Sequence, residues 1–168
     1  MTEFIRRSLT RDEAETLHAL IRLTPNILGY RTAELMGFND VWIAEWEGTF
    51  AGACLLVDLP LGWTEIAVLY VLEEFRGKGI GKELFDRAWR MAQDRKRSIY
   101  VISRDASVLK LMRERGMRIE RNLLKAPLAV HLYNGKYMAS PYRIGEALRK
   151  IPLSRGKPPF LFGVRKLA

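Results

Sequence analysis

Apolar residues recur along this chain at two spacings, every three to four positions or every second one, and the switches between them mark its elements. Thr10-Arg11-Asp12-Glu13 has the form of a capping box, after which Ala14, Leu17, His18 and Ile21 share one face of a first helix. Beyond the turn-prone Thr24-Pro25-Asn26, Arg31 to Met36 reads as a second, short helix. From Asp40 to Glu47, Val41, Ile43 and Glu45 alternate with Trp42, Ala44 and Trp46, and Glu47-Gly48 then turns the chain into Phe50 to Leu59. That pattern predicts a strand hairpin. Pro60-Leu61-Gly62 turns again, and a third strand runs from about Trp63 to Leu72.

The period changes after that strand. Ile80, Leu84, Phe85, Ala88, Trp89 and Ala92 predict an amphipathic helix from about Ile80 to Arg95. Ser98 to Ser103 reads as a buried strand, placed to run parallel beside the Trp63–Leu72 strand. Val108, Leu109, Leu111 and Met112 then give a helix from Asp105 to Arg115, capped by Gly116. Further on, Leu128 to Tyr133 and Lys136 to Ala139 flank Asn134-Gly135, which predicts a hairpin with a type I′ turn. Tyr142 to Ile151 reads as a short helix with Ile144, Leu148 and Ile151 on one side. Phe160 to Val164, after Pro158-Pro159, reads as a final strand. There are no internal repeats.

The junction between the third strand and its helix carries the most chemistry. Three glycines in Gly77-Lys78-Gly79-Ile80-Gly81 allow a tight turn that leaves backbone N–H groups unobstructed, and the first turn of the helix adds its own amides and positive dipole end. This is an anion site. A Walker loop needs four residues between its glycines and then Lys-Ser/Thr, whereas Gly77 and Gly81 are separated by three and Lys82 precedes Glu83. A dinucleotide fingerprint would need glycine where Lys82 stands, and near a first strand.

The motif that fits is Arg/Gln-x-x-Gly-x-Gly/Ala, here Arg76-Gly77-Lys78-Gly79-Ile80-Gly81. With its flanking elements from about Trp63 to Met117, the chain resembles the GNAT superfamily of acyl-CoA-dependent N-acyltransferases. The resemblance implies an α/β (α+β) fold, a mixed and mostly antiparallel sheet splayed between strands 4 and 5 and flanked by helices. It also implies acetyl-CoA as acyl donor, with its pyrophosphate on Arg76, Gly77, Lys78, Gly79, Ile80 and Gly81 and its pantetheine arm along Tyr70 and Val71. The family pattern Asn-x-x-Ala-x-x-x-Tyr-x-x-x-Gly-Phe places Asp105 at the asparagine, Val108 at the alanine and Met112 at the tyrosine, and the resemblance thereby implies Asp105 as a further cofactor-binding residue. The family tyrosine often protonates the departing thiolate, and methionine has no proton to give. Tyr133, Tyr100 and His131 are the substitutes, with Tyr133 the acid candidate. Glu65 stands eleven residues before Arg76, where the histone-acetylating branch carries its general base, and burial would raise its pKa into a useful range. Glu45 and Asp58 are weaker candidates on neighbouring strands. Glu73 and Glu74, in place of the proline often found there, are expected to face solvent.

Length changes little in this picture. The 168 residues fit a single GNAT-like domain whose part from about 117 is elaborated, the region expected to govern acceptor choice. No apolar run approaches the roughly 18 to 20 residues that span a bilayer, and Met1 to Arg7 lacks a secretory apolar stretch, so a cytoplasmic location and no membrane partner are expected. Cys54, the single cysteine, reads as a small core residue. With two histidines the chain offers no zinc cluster. Charge adds a second question. Residues 1–75 carry 5 basic and 12 acidic side chains, and residues 76–168 carry 23 and 7. One cofactor does not require so many cations, so nucleic acid is a candidate partner, a solvated surface being the other reading. The sequence thus supports an N-acetyltransferase acting on a primary amine. The alternative is a non-catalytic GNAT-fold protein whose basic half binds nucleic acid or a protein. Acceptor, acyl group and oligomeric state are left open.

Overall fold

A computed structural model describes residues 1–137 and 140–167. Its centre is a seven-stranded sheet built from β1 (Thr2–Arg6), β2 (Asp40–Trp46), β3 (Thr49–Leu59), β4 (Trp63–Val71), β5 (Ser98–Ser103), β6 (Arg118–Glu120) and β7 (Leu161–Arg165), in the order β1-β2-β3-β4-β5-β7-β6. All neighbours are antiparallel except β4 and β5. One face is covered by α1 (Arg11–Leu23), α2 (Thr32–Met36), α5 (Leu128–Tyr137) and α6 (Pro141–Ser154), and the other by α3 (Ile80–Asp94) and α4 (Ala106–Glu114).

The local signals act as expected through α4. Thr10 Oγ1 accepts the Glu13 amide at 3.3 Å while the Glu13 carboxylate accepts the Thr10 amide at 2.8 Å, so α1 starts on a closed capping box. Ala14, Leu17 and Ile21 then bury against Val41, Ile43, Ala53, Leu55 and Val68. On the other face Leu84, Phe85 and Ala88 of α3 pack with Ile99 and Val101 of β5 and Met112 of α4.

Two features of β4 shape the middle of the molecule. Leu55 pairs with Val68 and Leu56 with Ile66, which leaves Ala67 as an extra residue. The bulge reverses the alternation: Ile66 joins the α3/α4 core, whereas Val68 joins the α1/α2 core. In addition, β4 pairs with β5 over only Trp63–Ile66 against Ser98–Val101, while it continues beside β3 as far as Val71. The sheet therefore opens between its two parallel strands. Gly52 keeps β3 close at that upper end, since a Cβ there would sit 2.4 Å from the Tyr70 carbonyl oxygen. Gly52→Ala is expected to destabilise by about 2–3 kcal/mol, because backbone must move to admit it, and chemical denaturation would measure the loss.

Four elements differ from expectation, one of them the three-residue edge strand β6, which only its pairing with β7 defines. The edge strand β1 was not anticipated, because five half-exposed residues carry little pattern of their own; pairing with β2 defines it. The hairpin expected around Asn134-Gly135 is instead helix α5, with Ala129, Val130 and Tyr133 turned to Tyr100 and Phe162. Neither Asn134 nor Gly135 has the positive φ that a type I′ turn requires, so helical packing on the sheet overrides the local turn signal. Met138 and Ala139, at the end of that expected hairpin, lie outside the described residues.

Helix α6 covers the expected Tyr142–Ile151, but it docks through its polar side. Arg143, Glu146 and Lys150 are buried, whereas Ile144, Leu148 and Ile151 are exposed. The Lys150 ammonium donates to the carbonyls of Ile21 (2.7 Å) and Ile27, Arg149 donates to the Arg22 carbonyl (2.5 Å), and the Tyr142 hydroxyl donates to that of Tyr30 (3.3 Å). These carbonyls belong to the end of α1 and the segment after it, which need donors. Burial pulls the Lys150 pKa down to about 8, against the opposing pull of Glu146.

Candidate active site

After β4 the chain makes a short 3-10 turn over Glu73–Phe75 and enters the glycine loop. Gly77 (φ 76°) and Gly79 (φ 80°) occupy the left-handed region, where glycine alone is unstrained, and no atom lies within 4 Å of where either Cβ would be. Gly79 is the N-cap of α3 and has no side chain to cap it. Among the described residues, the amides from Gly77 to Lys82 donate to no protein acceptor. The loop lies open at the surface while Ile80 is buried at its base, so the free N–H groups are held on a fixed helix end. A phosphate fits this cradle.

Two cations border it. Lys78 Nζ lies 4.2 Å from the Trp46 ring centre and 5.3 Å from that of Phe75. Arg76 donates from Nε to the Val71 carbonyl (3.1 Å) and lies over Tyr70 at 5.7 Å. Tyr70 packs toward the α1/α2 core and Val71 toward α3, one on each side of the sheet where it parts. A Cβ at Gly81 would touch Val71 at 3.5 Å, so the loop helix sits directly against the strand end. Across the opening, Asp105 caps α4, its Oδ1 accepting the amides of Ser107 (2.9 Å) and Val108 (3.3 Å). These contacts assign its carboxylate a structural task.

Glu65 sits near the last paired row below the opening, with Val57 on β3 and Tyr100 on β5 as its direct neighbours across the sheet. It is partly buried, and desolvation raises its carboxyl pKa to about 7, while the charge of Arg143 works in the opposite direction. The Tyr100 phenol is pushed well above its ordinary range by burial and by the Glu65 charge. Val57 also lines a cleft of about 490 Å³, with Tyr30, Glu34, Phe38, Tyr133 and Arg143 around it. Arg143 reaches in from α6, its guanidinium over the Tyr30 ring (4.7 Å) and 3.3 Å from the Glu34 carboxylate.

The remaining candidates separate by their partners. Glu45 accepts from Arg7 at 2.7 Å, and Asp58 is engaged by Thr64 (2.7 Å) and Arg97 (3.1 Å). Glu73 and Glu74 are exposed on the 3-10 turn, and His131 is exposed on α5. Met112 is fully buried, its methyl 2.5 Å from where a Cβ on Gly163 of β7 would stand. The position that the family pattern gives to tyrosine is thus filled by core packing. Tyr133, by contrast, is carried by α5 into the cleft beside Arg143. Arg143, Tyr30 and Glu34 were not singled out from the sequence. An arginine in the first turn of an amphipathic helix resembles any solvated cation until the helix docks.

A mixed sheet that opens between its two parallel strands, with a glycine loop of free amides at one mouth and a carboxyl of raised pKa beneath, defines the class of protein. Residues 6–117 match the acetyltransferase (GNAT) family, and the chain belongs to it. An uncharacterized N-acetyltransferase of Chlorobaculum tepidum is 31% identical over 75 residues, covering 44% of this chain; the chain spans about half of that relative, 48%. The fold is shared with Rv2747 of Mycobacterium tuberculosis, solved in complex with CoA, at a TM-score of 0.69 and 16% identity, covering 98% of this chain and 99% of that one. It is shared also with the N-acetylglutamate synthase of Neisseria gonorrhoeae complexed with CoA and N-acetyl-glutamate. There the TM-score is 0.68 and the identity 18%, over 100% of this chain and 35% of that one.

Proposed function

We propose that this protein is an N-acyltransferase that moves an acetyl group from acetyl-CoA to the primary amine of an acceptor, by direct attack on the thioester. The observation that supports this most is the placement of Glu65, partly buried with a pKa near 7, directly below the point where the sheet opens. The amides of Gly77 to Lys82, with Arg76 and Lys78 beside them, are suited to the pyrophosphate. The edge of β4 at Tyr70 and Val71, left unpaired by β5, is suited to the pantetheine arm. Bound acetyl-CoA supplies the carbonyl carbon to which the amine nitrogen bonds as the carbon–sulfur bond breaks.

Glu65 accepts the proton that the nitrogen loses, and a pKa of about 7 keeps a large share of it ionised near neutral pH while making it basic enough to take that proton. Tyr133 or water returns a proton to the thiolate. The cleft lined by Tyr30, Glu34, Tyr133 and Arg143 is the acceptor side. Thiol release from acetyl-CoA with a panel of primary amines tests the reading: amine-dependent release is expected, and saturable binding without release for any amine would overturn it. The charge of Arg143 opposes the rise in the Glu65 pKa, so Arg143→Met should move the acid limb of the pH–rate profile above pH 7. Rates measured from pH 5 to 9 would show the displacement.

A further inference from the structure

The excess of cations in the second half of the chain is not spread evenly once the protein folds. Many are consumed internally: Arg95 and Arg97 by Asp40 and Asp58, Lys82 and Arg115 by Asp86, and Arg149 by Glu146. Four others gather at the end of the sheet where β4 and β6 begin and β7 ends, around an open groove of about 560 Å³. Arg118 stands at the start of β6, Lys125 in the following turn, and Arg165 and Lys166 at the end of β7. Among the described residues, no acidic side chain lines the groove.

Among the described residues, the side chains of Arg118 and Lys166 make no hydrogen bond or ion pair. Arg165 gives one N–H to the Gly116 carbonyl at 3.2 Å, and Lys125 lies 3.7 Å from the Glu120 carboxylate, an exposed and weak pairing. Like charges brought together without counter-charges repel one another, an arrangement that an anionic ligand relieves. The rest of the lining is mostly apolar and partly aromatic, with Leu61, Trp63, Pro127 and Val164 among its residues. Flat rings can lie against such a lining while phosphates meet the cations.

We propose that this groove binds single-stranded nucleic acid, its phosphates on Arg118, Lys125, Arg165 and Lys166 and a base against the Trp63 side. An open groove that sets basic side chains beside an aromatic one suits a strand whose bases are unstacked; a duplex keeps its ring faces covered, and carboxylate side chains carry no rings to stack. The site is distinct from the glycine loop. Trp63 and Val71 are the two ends of β4, so roughly 26 Å of strand separates them. The groove is therefore remote from the anion cradle, while Glu65 stands two residues along β4 from Trp63 on the same face of the strand.

Fluorescence anisotropy with a 5′-labelled 12-residue oligouridylate tests this. Binding is expected at 50 mM salt, and four phosphate contacts should give a log–log salt slope of about −3. Arg118→Glu with Lys166→Glu should weaken binding at least tenfold and flatten the slope. Arg155→Glu with Lys157→Glu makes the same change in net charge on exposed residues near the opposite end of β7, and should alter affinity less than threefold. If the reversed pair unfolds the protein by circular dichroism, Arg118→Gln with Lys166→Gln replaces it, with at least a threefold loss expected. No binding at 50 mM salt, equal weakening by both charge-reversed pairs, or displacement by polyglutamate as effective as by unlabelled oligouridylate would each overturn the assignment.

Discussion

Glu65→Gln is expected to lower the turnover number by about a hundredfold to ten-thousandfold, the usual range for removal of a positioned general base, while leaving the dissociation constant for CoA unchanged. The two effects separate because Glu65 lies beneath the opening of the sheet, between Val57 and Tyr100, whereas the anion cradle begins beyond Val71. Glutamine keeps the shape and loses only the ability to accept a proton. The wild-type rate should rise with pH through about 7 as the carboxyl ionises, and that limb should vanish in the variant. An unaltered pH–rate profile would remove Glu65 from the mechanism.

Stability gives an independent reading of the same carboxyl. Its folded pKa is raised, so between the unfolded value of 4.5 and about 7 the folded protein binds more protons than the unfolded one, and stability falls as pH rises through this window. Glu65→Gln abolishes that dependence. The variant should gain melting temperature relative to wild type at pH 8 and gain much less near pH 4. A change that stabilises while it inactivates is the signature of a group kept at a cost for its chemistry.

The second large effect concerns the loop. Gly79→Val should weaken CoA binding at least tenfold by calorimetry, since φ of 80° is strained by about 1–3 kcal/mol for a residue with a side chain and worst for a β-branched one. There is free space around the position, so the fold survives. The loop relaxes instead, and the amides from Gly77 to Lys82 no longer converge. Gly79→Asn should retain most of the affinity, because asparagine tolerates the left-handed region better than other residues. Undiminished binding by the valine variant would mean that these amides do not hold the cofactor.

The loop could be read from six residues because everything that makes it an anion site is local: glycines free to take positive φ, a strand before, and an amphipathic helix after. The placement of Glu65 on β4 was legible for a related reason, since spacing along one strand survives folding. The misread segment fails on the same terms. Asn134-Gly135 is a strong turn signal within four residues, yet Ala129, Val130 and Tyr133 gain more by burying against Tyr100 and Phe162 as a helix. Met112 shows what a pattern alone conveys, namely that no phenol stands there; its burial under Gly163 depends on where β7 inserts.

Local conformational preference and hydrophobic periodicity were thus enough to specify the strands from β2 to β5, the helix that fixes the glycine loop, and the side chains set along β4. The surroundings of those side chains came from packing between distant segments. Arg143 lies 78 positions beyond Glu65, and it tempers that carboxyl only because α6 docks its polar face on the carbonyls after α1. Several cations of the second half likewise became internal pairs, and others came to line an open groove, according to which acidic residues the sheet brought within reach. Electrostatic environment depends on distances between residues far apart in the chain, and only the folded backbone sets those distances.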